Sequence, residues 1–167
     1  MKIAIASDHA GFELKNKLVE ILKSRGQDVV DCGPDSFDPN DDYPDFIGKA
    51  SEMVSSDSTI TGIILGGTGQ GEQITANKYV GVRCALFYGP VRPSSEVDIS
   101  GRKSDDPYEI IKLAREHNDA NMLSIAVRFV NENEAVKAIE LFLNTPFSQE
   151  ERHKRRIEKI KEIEENS

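Results

Sequence analysis

A chain of 167 residues with 38% hydrophobic and 30% charged side chains is long enough to bury one substantial core, and it reads as a single soluble, globular α/β-sized domain. Its formal charge of −8 argues against general nucleic-acid binding, and no apolar run is long enough to span a bilayer, so neither nucleic acid nor membrane is an expected partner. Two cysteines, Cys32 and Cys84, lack metal-ligand spacing and are expected to be reduced thiols in or near the core.

The N-terminus, MKIAIASDHAG, has only a short apolar stretch that runs straight into Asp8 and His9. That is not a signal-peptide pattern, and a cytoplasmic location is the expectation. The stretch itself predicts a strand over Lys2 to Ser7. A helix from about Gly11 to Arg25 follows, with Phe12, Leu18, Val19 and Leu22 near one stripe and a stop at Gly26. A second strand at Asp28 to Cys32 leads to a helix over about Asp45 to Ser55, carrying Phe46, Ile47, Ala50, Met53 and Val54.

The third predicted strand, Thr61 to Leu65, opens into GGTGQGEQITANK at residues 66 to 78. Glycines at 66, 67, 69 and 71 let the backbone turn tightly, and the following helix offers unpaired N–H groups to an anion. This is a cradle for an oxyanion or a phosphate. The spacing from Gly66 to Gly71 imitates a P-loop, but Glu72 and Gln73 stand where a Lys and a Ser or Thr are required. A carboxylate there repels a triphosphate, and the dinucleotide pattern G-x-G-x-x-G is not met either. The plain structural alternative is a tight turn with a dipole-favoured Glu in the first helical turn.

Strands at Arg83 to Phe87 and Met122 to Val127 complete a set of five, alternating with helices. The expected fold is therefore α/β: a five-stranded parallel sheet, doubly wound in a Rossmann-like three-layer sandwich. Between the last two strands, residues 89 to 107 are polar and proline-containing, and exceed the usual length of a connection. They read as an inserted loop, either a plain surface excursion or a lid or added subunit contact. A last core helix follows Asn131, with Ala135, Val136, Ile139, Leu141, Phe142 and Leu143. The domain is expected to end near residue 147, leaving 148–167 as a charged helical tail. Its narrow stripe of Ile157, Ile160 and Ile163 suits docking on another surface.

In open α/β sheets ligands bind beyond the carboxyl ends of the strands. Asp8 and His9 follow the first strand, Glu72 ends the loop after the third, and Arg115, His117 and Asn118 precede the fifth; these are the candidate reactive groups. Of the three histidines, His153 lies in the tail, and no pair has zinc-site spacing, so no metal is expected. Arg152 and Arg156 are one helical turn apart, so both can reach a single phosphate, although a solvated helix face is the usual fate of such a cluster.

Taken together, ASDHAGFELK, DCG, DDYPDF, GGTGQGEQITANK, GVRCAL, AREHNDANML, Arg128 and TPFSQEERHKRRI resemble ribose-5-phosphate isomerase of type B and its galactose-6-phosphate isomerase relatives over nearly the whole chain. In much of that family a cysteine at the position of Gly66 is the proton-abstracting base. This chain departs from that pattern and looks like the branch in which Glu72 takes the role. The resemblance implies aldose–ketose isomerisation through an enediolate, with no cofactor. Backbone N–H groups around Gly67, Gly69 and Gly71 would hold the oxyanion, and Thr68 would assist proton movement between the sugar oxygens. Asp8 and His117 would assist ring opening, and Asn118 and Tyr43 would hold hydroxyls, Tyr43 being equally readable as a packing residue. His9, Arg128, Arg152 and Arg156 would hold the phosphate. A homodimer or a dimer of dimers, with active sites completed across the interface, is implied as well. Two alternatives stay open: an isomerase of a six-carbon phosphosugar such as allose or galactose 6-phosphate, and a non-catalytic phospholigand-binding module on the same architecture.

Overall fold

Alternation along the first strand decides the layering. In β1 (Lys2–Ser7) Ile3 and Ile5 face one side and Ala4 and Ala6 the other, and all four are fully buried, as in a strand covered on both faces. The computed structural model describes residues 1–166. The remaining strands are β2 (Asp28–Asp31), β3 (Ile60–Gly66), β4 (Cys84–Phe87) and β5 (Met122–Ala126), all parallel, in the order β2-β1-β3-β5-β4. Six helices accompany them: α1 (Phe12–Ser24), α2 (Pro44–Ser56), α3 (Gln70–Ala76), α4 (Glu109–Asn118), α5 (Glu132–Asn144) and α6 (Glu151–Glu165).

The Ile3 and Ile5 face packs on Leu18 and Leu22 of α1, Ile111 of α4, and Ile139 and Phe142 of α5. The Ala4 and Ala6 face, with smaller side chains, packs on Ile47, Ala50 and Val54 of α2 and Ala76 of α3. This is the expected doubly wound three-layer fold. The chain leaves β1 in one direction for β2 and then in the other for β3, so the crevice between the carboxyl ends of β1 and β3 is the switch point where such sheets bind ligands.

Two details differ from expectation. Phe12 lies outside the core and meets Phe37 edge-on at 6.2 Å, while Lys15 occupies a buried position on α1. A buried ammonium requires a partner, and Lys15 has two, the Asp31 carboxylate at 2.6 Å and the Pro34 carbonyl at 3.1 Å. The other difference is the tail. Its first turn folds back on the same protomer, where His153 is buried, Ser148 N–H donates to the Glu116 carbonyl at 3.1 Å, and the His117 and His153 rings lie 4.3 Å apart. Ser167, the last residue assigned to the tail, lies outside the described residues.

Candidate functional site

Three loops meet at the carboxyl ends of β1, β3 and β5. After β1, the Asp8 carboxylate caps the turn His9–Gly11 by accepting the Gly11 N–H at 3.0 Å, which holds Asp8 buried. After β3, the loop 66–69 is tied down at several points. Val127 N–H donates to the Gly66 carbonyl at 3.0 Å, Arg128 N–H to the Gly67 carbonyl at 3.2 Å, and the Ser124 hydroxyl to the Gly69 carbonyl at 2.7 Å. Gly69 then enters the left-handed region at φ 68° to start α3, a conformation that glycine adopts without strain. Thr68, exposed beside it, accepts weakly from Gln70 N–H at 3.5 Å.

Glu72 sits in the first turn of α3 and is buried, with 4% of its surface exposed. Its side chain turns under the loop and occupies the space in front of Gly66: a β-carbon there would lie 2.0 Å from the Glu72 carboxyl. Residue 66 must therefore be glycine for this carboxylate to stand where it does. Burial pushes the Glu72 pKa up, its own backbone N–H opposes that, and the charge of Asp8 adds to the rise while His9 works against it. A carboxylate so placed is a stronger base than one in water.

Around it the remaining groups of this cluster converge. Tyr43 covers Gly71, and the Arg128 guanidinium lies against Gly67. The His9 ring places Nδ1 2.6 Å from Asp41 Oδ1, and the same oxygen accepts the His9 backbone N–H at 3.2 Å. The Asp41 hydrogen bond raises the His9 pKa above its usual value, so the imidazolium form is favoured and the other ring nitrogen remains for a ligand. Asp41 did not stand out in sequence. Its signal is its place in DDYPDF, two residues before Tyr43, but nothing local ties that motif to His9.

The second set of candidates lies elsewhere. His117 and Asn118 end α4 just before β5 begins, at the amino ends of the strands, and the Asn118 carbonyl accepts from Arg83 Nε at 2.9 Å at the foot of β4. Arg152, on the first turn of α6, pairs with Glu150 at 2.8 Å and lies near enough to His117 to affect its titration. Burial lowers the His117 pKa, and the neighbouring His153 and Arg152 lower it further. Arg156 is exposed one turn along α6. A strand of five or six residues spans about 17–20 Å, so one protomer's His117 group and Glu72 group are a sheet length apart. The structure thus brings Asp8, His9, Tyr43, Gly67, Thr68, Gly69, Gly71, Glu72 and Arg128 together, and holds His117, Asn118, Arg152 and Arg156 in a separate group. Arg115 belongs to neither. It closes the end of α4 by pairing with Asp119 at 3.0 Å and donating to the Ala120 and Thr145 carbonyls.

Comparison with known proteins decides the family. Residues 3–93 and 106–160 match the model of the ribose/galactose isomerases. The chain belongs to that family. It is 40% identical over 164 residues to ribose-5-phosphate isomerase B of Mycobacterium leprae, covering 98% of this chain and 90% of the relative. Among solved structures it is similar to the Mycoplasma genitalium ribose-5-phosphate isomerase B with bound ribulose-5-phosphate, at 39% identity and a TM-score of 0.85 over 99% of this chain and 97% of that one. The corresponding Thermotoga maritima enzyme superposes with a TM-score of 0.81 at 40% identity, covering 96% and 97% of the two chains. Burial pushes both thiols of this family member, Cys32 and Cys84, above their ordinary range, which keeps them protonated. Among the described residues no helix is long and apolar enough to cross a membrane.

Proposed function

We propose that this chain interconverts ribose 5-phosphate and ribulose 5-phosphate through an enediolate, with Glu72 as the base. The observation that carries this reading is the buried Glu72 carboxylate under the glycine loop at the switch point of the sheet. Glu72 takes the proton from the carbon beside the aldehyde and returns it to the adjacent carbon. Negative charge builds on the sugar oxygens during that step, and the N–H groups around Gly67, Gly69 and Gly71 stabilise it. Thr68 assists proton movement between the two oxygens. Asp8 and His117 assist ring opening, and Tyr43 and Asn118 hold hydroxyls. His9, Arg128, Arg152 and Arg156 receive the phosphate, and the reaction takes place in the cytoplasm.

Such a site requires residues from both groups, which one protomer holds a sheet length apart. We infer a homodimer in which each protomer contributes its Glu72 group to one site and its His117 group to the other, with dimers of dimers as the larger form. The outer surface supports this. Among the described residues edge strand β4 has no neighbour on one side, and Ile74, Tyr88, Ile110 and Phe129 around it are 60%, 41%, 52% and 60% exposed. The groove that Ile160 of α6 lines with Gln73, Asn77 and Val82, where Ile160 is 43% exposed, is a further candidate for packing on a partner subunit.

Turnover of ribose 5-phosphate, allose 6-phosphate and galactose 6-phosphate, measured side by side, tests the assignment. The highest kcat/KM is expected on ribose 5-phosphate. A higher value on a six-carbon substrate would transfer the assignment to that sugar, and phosphosugar binding without turnover of any of them would leave a binding module.

Asp41 supplies a separate test. His9 binds phosphate best as the imidazolium, a state present below its raised pKa and lost as pH rises through it. Asp41→Asn removes the largest cause of the rise, so the pH range of tight binding should move downward. The KM at pH 7.5 should increase by about three- to tenfold with a smaller change in kcat. A KM profile against pH that superposes on the wild type would remove Asp41 from this role.

A further inference from the structure

Residues 94–105 lie between the two segments that match the family model, yet they are neither loose nor isolated. Val91 N–H donates to the Pro107 carbonyl at 2.8 Å and closes the stem, and Val97 N–H donates to the Arg102 carbonyl at 2.8 Å and closes the tip. Within the tip, the Asp98 carboxylate accepts from Ser100 N–H at 2.8 Å, the Ser100 hydroxyl at 2.6 Å and Arg102 Nε at 3.0 Å. This turn aims the rest of the Arg102 guanidinium at α4.

There the two terminal nitrogens each meet a carboxylate. Nη1 is 2.8 Å from Glu109 and Nη2 is 3.0 Å from Glu116. Glu109 opens α4 and Glu116 lies in its last turn, seven residues on, so two helical turns bring both to one face. Glu109 is 1% exposed, and a carboxylate that deep requires cationic partners, which Arg102 and Lys112 supply. The residue after Glu116 is His117, and the Glu116 carbonyl receives Ser148 N–H where the chain turns into α6. One guanidinium therefore links the insertion to both ends of α4 and to the turn that carries His117 and Asn118.

We propose that Arg102 is a positioning residue for the reaction, holding the last turn of α4 so that His117 and Asn118 present themselves correctly to the site they complete. The proposal rests on the roles given to His117 and Asn118 above. It also assigns the insertion a purpose: a brace on α4, in place of a lid.

The titratable and charged groups around His117 are His153 and Arg152 from α6, Glu116 on its own helix, and Arg102 from the insertion. Arg102 disfavours the His117 imidazolium and Glu116 favours it. Arg102→Gln removes the first and unmasks the second, so the His117 pKa should rise; Glu116→Gln should lower it. With only three histidines, the ring protons can be followed individually by NMR. Arg102→Gln is expected to raise the His117 midpoint measurably. It should also cut kcat/KM on ribose 5-phosphate by about fivefold or more, with Arg102→Lys recovering most of that loss. Lys103→Ala, on the same loop and 81% exposed at its side chain, should change neither quantity.

Because Glu109 is buried, Arg102→Gln can compromise folding. Glu116→Gln leaves the pairs of Arg102 with Asp98 and Glu109 in place and then carries the test alone. An unmoved His117 titration with normal turnover in Arg102→Gln, or in Glu116→Gln where the first variant does not fold, would overturn the role of Arg102 only. Shifts of the same sign in both variants would do so too, since they indicate general loosening. A wild-type protein that turns over no phosphosugar would overturn the isomerase reading, and this role with it.

Discussion

Glu72→Gln is expected to fold normally and to lose at least about a hundredfold in kcat with little change in KM. The amide keeps the shape of the carboxyl but cannot accept the proton, and the phosphate and hydroxyl contacts proposed above are assigned to other side chains. The same carboxylate can be displaced without altering it. Gly66→Ala would put a β-carbon 2.0 Å from the Glu72 carboxyl, and the end of a flexible side chain is what moves. The backbone should therefore stay and the base should leave its place, with kcat reduced by about tenfold or more, since small misplacements of a reacting group are costly. Steady-state kinetics on folded protein checks both. Near-normal turnover in Glu72→Gln would exclude Glu72 as the base, whatever Gly66→Ala does.

Mixing two inactive variants should restore activity. Glu72→Gln lacks the proposed base of one group and His117→Ala lacks the histidine proposed to assist ring opening in the other. If sites form across a twofold interface, a heterodimer has one doubly defective site and one with both residues intact. Random exchange of subunits makes half of the dimers mixed, so about a quarter of wild-type activity should return. With sites formed inside one chain, no mixture recovers activity. Exchange is to be verified by the mass of tagged species, and a mixture that exchanges yet stays inactive would sink the composite site. This experiment separates the two groups of residues more directly than oligomeric mass, which reports association without saying what the interface completes.

Much of the fold was legible locally. Periodicity marked five strands and the helices between them, and the depth of burial along β1 and β3 follows from their unbroken apolar character. The glycine loop and Glu72 were legible as well, because backbone freedom, a helix start and a carboxylate occur in thirteen consecutive residues. Asp41 was not legible: its partner His9 lies 32 residues away, and the contact depends on how the segment before α2 returns over the end of β1. Nor was the division of the candidates. His117 and Asn118 were grouped with Asp8, His9 and Glu72 although they precede a strand where the others follow one, and in a parallel sheet that difference places them at opposite ends.

The amino-acid order by itself determined the class of fold, the glycine loop ahead of a helix start and the residue types able to move a proton, since each follows from near neighbours: alternation, glycine spacing, and a carboxylate at a helix start. Only the tertiary structure decided that the Glu72 carboxyl fills the space before Gly66, that Asp41 raises the His9 pKa, and that Arg102 crosses from the insertion to both ends of α4. Those are contacts between segments far apart in the chain. Their existence depends on which strand ends meet and which helix faces are left open, and no local pattern encodes it.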